Sequence, residues 1–246
     1  MMSENSISDE IIVLSARDWQ NVDKYAVCFS RMHGKITFIA YGAKYPKSIA
    51  GRLIQPFAVL NAEFYEGKRL AKLKSCSLLK AASAYKIKEL AYGSLIAEAT
   101  ELLTEDGDPK EEIFILLGQC LPLLKQHNPR LVALAYLVKL LELTGVGPIR
   151  DTCVICGRQG AENAGFSNEQ GGLICVECGV TRSGLVPFHV ETRLLWEQLL
   201  TLDFSNPVSF TVKGSALMEL EQIVNGFITY QVDQPLKCLG FLAQLN

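Results

Sequence analysis

Between Glu10 and about Leu79 the apolar positions recur with a period of two or in short β-branched runs, the pattern of strands. Ile11–Leu14 is one such run, and Tyr25–Phe29 leads into the turn signal Ser30-Arg31-Met32-His33-Gly34. Lys35–Tyr41 then alternates cleanly, with Ile36, Phe38 and Ala40 on one face and Lys35, Thr37, Ile39 and Tyr41 on the other. After the loop at 43–48, strand-like text resumes from Leu53 to Tyr65. Glu66-Gly67-Lys68 marks a hairpin turn, and Arg69–Cys76 is its return arm. Five short strands in about seventy residues predict a small closed barrel of the oligonucleotide-binding (OB) type.

The period changes after residue 80. Apolar residues at Ile87, Leu90, Ala91, Leu95, Ile96, Ala99, Leu102 and Leu103 follow helical spacing. Asp108-Pro109 followed by Glu111 and Glu112 reads as a helix start running to Leu124, and Asn128-Pro129 repeats the device for a helix from Arg130 to Leu143. Further helices are predicted over Glu191–Leu200, Gly214–Tyr230 and Leu236–Leu245. The expected fold is α+β: an OB barrel over residues 1–82, then a helical domain over 83–246 that carries a cysteine module at 150–182.

That module changes the picture most. Cys153 and Cys156 form one Cys-x-x-Cys pair and Cys175 and Cys178 another, eighteen residues apart. The spacing lets two pairs of thiolates complete a tetrahedral shell, so one structural Zn²⁺ is expected, with no open coordination position for chemistry. Two disulfides or a thioredoxin-like redox pair would use the same residues. The remaining cysteines, Cys28, Cys76, Cys120 and Cys238, stand singly among apolar neighbours, as reduced core cysteines do.

Charge adds a second asymmetry. The net charge is only -2, yet residues 1–88 hold 14 Lys and Arg against 7 Asp and Glu, whereas the rest holds 10 against 19. A basic first third predicts a polyanionic partner. Arg31, Lys35, Lys44, Lys47, Arg52, Lys68, Arg69, Lys72 and Lys74 are the candidate DNA-binding cations, interleaved with Tyr41, Tyr45, Phe57, Phe64 and Tyr65. Phe38, Phe57 and Phe64 read as core, and any single lysine also fits a solvated face. Lys44, Lys47 and Arg52 flank one loop and form the expected contacting edge.

Catalytic chemistry is sparse. The three histidines, His33, His127 and His189, lie at turns or helix starts. No phosphate-binding Gly-x-x-x-x-Gly-Lys-Ser/Thr, His-Glu-x-x-His or Gly-x-Ser-x-Gly motif occurs. The expectation is a protein without catalytic turnover. It lacks a basic-then-apolar leader and any uninterrupted membrane-length apolar run, and is expected to be cytoplasmic and nucleoid-associated.

The run Gly34–Lys44, then Pro46-Lys47-Ser48 and Leu53-Ile54-Gln55-Pro56-Phe57, resembles the RecO family of bacterial DNA-repair proteins. So does Lys139–Gly145 leading into Cys153 and Cys156, followed by Phe166-Ser167 and Gly171–Cys175. The resemblance extends from about residue 10 to about residue 245. It implies an OB barrel, a helical C-terminal domain and an embedded zinc module. It also implies a recombination mediator of the RecF pathway, which binds single- and double-stranded DNA and anneals complementary strands. Its implied partners are RecR and the acidic tail of single-stranded DNA-binding protein (SSB), with RecA loading as the result. That tail ends in an apolar residue, so its site needs an apolar pocket beside a cation. In the acidic helical part the candidate cations are Lys125, Arg130, Lys139 and Arg193.

Overall fold

The computed structural model describes residues 6–65, 67, 70–159, 163–206 and 211–245. Its N-terminal third is a closed five-stranded barrel: β1 (Ser6–Trp19), β2 (Asp23–Ser30), β3 (Gly34–Ala40), β4 (Val59–Tyr65) and β5 (Ala71–Lys80), ordered β1-β2-β3-β5-β4. All pairings are antiparallel except the closing one, where Phe38 and Ile39 of β3 lie parallel to Ala71 and Lys72 of β5. This is the OB order. A short helix, α1 (Ile49–Leu53), separates β3 from β4.

That helix corrects the expectation of one strand from Leu53 to Tyr65. Ser48 caps α1 by accepting from the Gly51 amide at 3.2 Å. Pro56 lacks an amide for a ladder, and Phe57 adopts a positive φ of 72°, so pairing resumes only at Val59. Gly51 is required here, because a Cβ would lie 1.7 Å from the carbonyl oxygen of Ala43.

β1 is longer than its apolar run suggested because its second half is amphipathic. The run Ile11–Leu14 is buried on both faces. Ile11 and Val13 point into the barrel with Ala26, Cys28, Phe38, Leu60 and Phe64. Ile12 and Leu14, with Val27, Phe29 and Phe57, point outward into the core of the helical half. Fully burying side chains of this size contributes about 1.5–3 kcal/mol each, so the outward set welds the two halves.

The helical half comprises α2 (Ile87–Leu103), α3 (Glu111–Leu123), α4 (Pro129–Thr144), α6 (Val190–Thr201), α7 (Gly214–Gln231) and α8 (Lys237–Ala243), with the short α5 (Val176–Gly179) in the cysteine module. α4 is central and buried on nearly every side, which is why its sequence is apolar almost throughout. Its one buried hydroxyl, on Tyr136, pairs with Thr100 of α2 at 2.7 Å. Asn128 caps α4 through the Arg130 amide, and Gly145 ends it in the left-handed conformation (φ 77°). α3 starts at Glu111, two residues beyond Pro109.

Candidate metal centre and nucleic-acid surface

The cysteine module is built on a hairpin, β6 (Asn163–Ser167) and β7 (Gly172–Cys175). Ile149 pairs with β7 on one side, and Val186 pairs with Phe166 on the other. Phe166 then enters the helical core edge-on to Phe188 and Phe227. The first knuckle is turned by a bond from the Gly157 amide to the Cys153 carbonyl at 2.8 Å. It is held to β7 by the Val154 amide donating to the Leu173 carbonyl at 2.9 Å. The second knuckle begins at Cys175, which closes β7 and opens α5.

These constraints bring the four sulfurs within 4.8 Å of one another, with Cys156 Sγ and Cys175 Sγ 3.8 Å apart. A tetrahedron of thiolates about 2.3 Å from a central ion has edges of about 3.8 Å, so the spacing fits a metal ion. It does not fit bonded pairs, and all eight cysteines are free thiols. Cys153 and Cys175 are buried, and the Cys175 amide donates to Cys153 Sγ at 3.4 Å. Burial alone would raise the Cys153 thiol, but amides of Cys175, Cys156 and Ile155 pull it down to about 6. Cys178 is pushed up to about 12, first by its hydrogen bond with Cys175 and then by burial. One thiolate in the cluster thus discourages the next, a conflict that a bound cation removes. Of the other cysteines, Cys28 and Cys120 are buried and Cys76 and Cys238 half-buried, and burial raises all four thiols.

The structure sorts the candidate cations into groups. Arg31 and Lys35 lie at the seam between the halves. Arg31 donates to Glu10 at 2.8 Å and Glu111 at 2.9 Å, with its guanidinium 4.6 Å from the Phe114 ring centre. The Lys35 ammonium, on a side chain only 15% exposed, donates to the carbonyls of Glu101 and Thr104 at 2.8 and 2.6 Å and faces Asp106 at 3.4 Å. It therefore caps the C-terminus of α2, whose own last turn contains no basic residue. Lys44 and Lys74 are partly neutralised by Asp18 (3.0 Å) and Glu63 (2.6 Å). Lys47, Arg52 and Lys72 are exposed and have no carboxylate partner among the described residues. Lys68 and Arg69 lie outside the described residues.

Lys72 lies beside Ile39 at the end of β3, Lys47 follows in the loop after β3, and Arg52 lies in α1, whose Ala50 and Leu53 pack in one cluster with Ala71 and Leu73 of β5. The loop between β3 and α1 is fastened: Gly42 donates to Asp23 Oδ1 at 2.8 Å and Lys44 to the Val22 carbonyl at 2.8 Å. Tyr41 and Tyr45 project from this loop, each about 60% exposed. Phe38, Phe57 and Phe64 are core, as expected. Arg17, outside the cations singled out from sequence, lies over the rings of Tyr25 and Trp19 at 4.5 and 5.6 Å. The run Arg17-Asp18-Trp19 contains no strong strand signal, and only the β1–β2 register brings Arg17 opposite Tyr25.

The histidines do structural work. His33 faces Asp9, a buried carboxylate that also accepts from Ser30 and from the amides of Met32 and Glu10 and so ties the β2–β3 turn to β1. His189 precedes α6 and pairs with Glu219 at 2.6 Å. His127 closes the turn after α3.

Among the cations of the helical half, Arg130 is engaged by both carboxylate oxygens of Glu221, and Arg193 lies 3.9 Å from Asp151. Lys125 is exposed. Lys139 borders a groove of about 350 Å³ with an apolar floor of Ile115, Leu116, Leu143 and Leu200 and with Glu112, Gln119 and Glu142 also in its lining. Its amine donates to the Leu200 carbonyl and sits 5.8 Å from the Phe204 ring, and burial lowers its pKa.

No helix among the described residues is long and apolar enough to cross a membrane. A family model described as Recombination protein O N terminal matches residues 2–82, and one described as Recombination protein O C terminal matches residues 84–239. DNA repair protein RecO of Moorella thermoacetica is 28% identical over 249 residues, spanning 96% of this chain and 90% of that protein. DNA repair protein RecO of Alkaliphilus metalliredigens is 29% identical over 232 residues, spanning 93% and 94%. That of Thermoanaerobacter sp. is 27% identical over 245 residues and spans 98% of both. With barrel and helical halves both matched in order, the chain belongs to the recombination protein O family of DNA repair proteins.

Proposed function

We propose that this protein is a recombination mediator that binds single- and double-stranded DNA and anneals complementary strands without catalytic turnover. With RecR it helps load RecA onto SSB-coated single strands in the RecF pathway, in the cytoplasm at the nucleoid. The observation that carries this reading is the set of cations without carboxylate partners, Lys47, Arg52 and Lys72, at one end of an OB barrel. Flexible cations of this kind capture phosphates without reading bases, so two strands held on such an edge can sample pairing.

The cysteine centre is read as one structural Zn²⁺. Cys153, Cys156, Cys175 and Cys178 would hold it, and a shell of four thiolates leaves no position for water or substrate. Its contribution is to fix the hairpin against the helical core. The groove at Lys139 is the proposed site for the acidic SSB tail, because it pairs an apolar floor with a cation that forms no salt bridge among the described residues, and Glu142 on its rim is paired with Arg150 at 2.6 Å. Arg130 is already closed by Glu221.

The test is strand annealing on SSB-coated complementary oligonucleotides, with and without RecR. Changing Lys47, Arg52 and Lys72 together to Ala is expected to slow annealing at least about tenfold, given the steep salt dependence of binding through several phosphate contacts. Annealing at the parent rate would remove the reading.

A further inference from the structure

Of the eight cysteine thiols, only Cys156 is exposed. It stands at the tip of the first knuckle, in a run, residues 155–159, that is exposed throughout. The space beside this tip is open, since a Cβ added at Gly157 would meet nothing within 4 Å. The other three sulfurs of the cluster are less accessible. Cys153 and Cys175 are each 1% exposed, and Cys178 is half-buried in α5. Strand pairing closes that side, with the Val154 amide on the Leu173 carbonyl and the Leu173 amide on the Ile149 carbonyl, each at 2.9 Å. The cluster therefore has a sealed side and one open thiol, and the open Cys156 Sγ lies 3.8 Å from the buried Cys175 Sγ.

We infer that Cys156 is an oxidative modification site, the thiol through which hydrogen peroxide opens the metal centre, with Cys175 as the thiol that completes a disulfide. The inference rests on the proposed reading of the cluster as a four-thiolate zinc site. In such a site every sulfur is a thiolate, so access rather than ionisation ranks their reactivity. Attack by the Cys156 sulfur breaks the peroxide O–O bond, leaving a sulfenic acid at Cys156 and releasing hydroxide. The Cys175 thiolate then attacks that sulfur: the S–S bond forms, the S–O bond breaks and a second hydroxide leaves. The two thiolates have lost two electrons and the peroxide has gained them. To bond, the two sulfurs close from 3.8 Å to about 2 Å. Cys153 and Cys178 remain as half of the shell, too few ligands to keep the ion. The new bond joins the same two knuckles that the metal joined, so the hairpin keeps a tie in the oxidised state, and a thiol reductant with Zn²⁺ restores the original one.

Zinc-loaded full-length protein treated with hydrogen peroxide gives two readouts, zinc release to a chromophoric chelator and the state of each sulfur by peptide mass mapping. Dimedone, which traps sulfenic acids, is expected to label Cys156 before any other cysteine. Without dimedone the peptides carrying Cys156 and Cys175 should be joined, and about one zinc should leave per disulfide formed. Dithiothreitol with Zn²⁺ should return both thiols and metal. Cys156→His keeps four ligands, since an imidazole replaces one thiolate in three-cysteine zinc sites, and is expected to slow peroxide-driven release at least about tenfold. Cys178→His, which leaves Cys156 and Cys175 in place, should release at the parental rate. Zinc content of each variant is measured first, and where a variant does not hold zinc the dimedone map of the parent decides. First labelling at Cys153, Cys175 or Cys178, or a disulfide that leaves out Cys156, overturns the inference. A bond between Cys153 and Cys156 overturns the role of Cys175. If the purified protein carries no zinc, yet Cys156 is labelled first and bonds to Cys175, the metal reading fails and the modification site stands.

Discussion

At the seam of the barrel, Arg31 and Lys35 are surrounded by acceptors: two carboxylates for the first, two helix-end carbonyls and a carboxylate for the second. At the open end, Lys47, Arg52 and Lys72 have no carboxylate partner among the described residues. All five belong to the same basic stretch of sequence. The difference lies in what the helical half brings to them. An acidic first turn of α3 and a last turn of α2 without basic residues of its own consume the seam cations, and among the described residues nothing comparable reaches the other end. Positive charge thus serves as structure on one side and remains available to a polyanion on the other.

The largest effect that would sharpen this contrast comes from the four-cysteine cluster, whose proposed metal would belong wholly to the structural side. Cys175→Ser, or stripping the metal with a chelator, is expected to lower the melting temperature by on the order of 10 °C, because ligation in small zinc-folded modules contributes about 10 kcal/mol or more. DNA affinity measured below the new transition should be retained. Metal analysis should find about one zinc per chain, and a metal-free protein of unchanged stability would contradict the structural role.

Next in size is the seam itself. Lys35→Met keeps most of the side-chain volume but removes the ammonium that caps α2, and is expected to destabilise by about 1–3 kcal/mol in urea unfolding. An unchanged midpoint would mean that the helix end is satisfied by water instead. Either way, the change should leave the salt dependence of DNA binding unaltered.

A smaller effect concerns Asp9, which fastens the turn beneath the seam. Burial raises its carboxyl, but hydrogen bonds from Ser30, the Met32 amide, His33 and the Glu10 amide outweigh this and hold it below its usual value of 3.8. A lowered folded pKa means stability that is present above about pH 4 and lost as pH falls through the folded value. Asp9→Asn is therefore expected to cost about 1 kcal/mol at neutral pH and to flatten the acid limb of the stability profile. An acid limb identical to the parent's would show that Asp9 titrates normally.

Much of this was legible in the sequence, for identifiable reasons. The Cys153–Cys178 spacing carries its geometry with it, since two-residue gaps and an intervening hairpin leave few ways to arrange the sulfurs. Helix boundaries followed from caps such as Asn128-Pro129 and Gly145, which act locally. The region from Leu53 to Val59 misled because its apolar residues serve a helix, a turn and a strand in succession, and only the close approach of Gly51 to Ala43 shows why. The division of cations was not legible, because Lys35 and Lys72 both sit on strands. What separates them is a helix end some sixty-six residues away in sequence from Lys35. The contact of Arg17 with Tyr25 was missed for a related reason: it arises only when β2 places Tyr25 opposite Arg17.

The contrast between seam and open end is tested most directly by the salt dependence of single-stranded DNA binding in two matched variants. One carries Lys47→Ala, Arg52→Ala and Lys72→Ala, and the other carries Arg31→Ala and Lys35→Met. In plots of log affinity against log salt, each lost phosphate contact on a single strand reduces the slope by about 0.7. The open-end variant should therefore lose about 2 from its slope, with a melting temperature close to the parent's, whereas the seam variant should keep the parental slope and melt earlier. A seam variant that loses slope, beside an open-end variant that keeps it, would contradict the account.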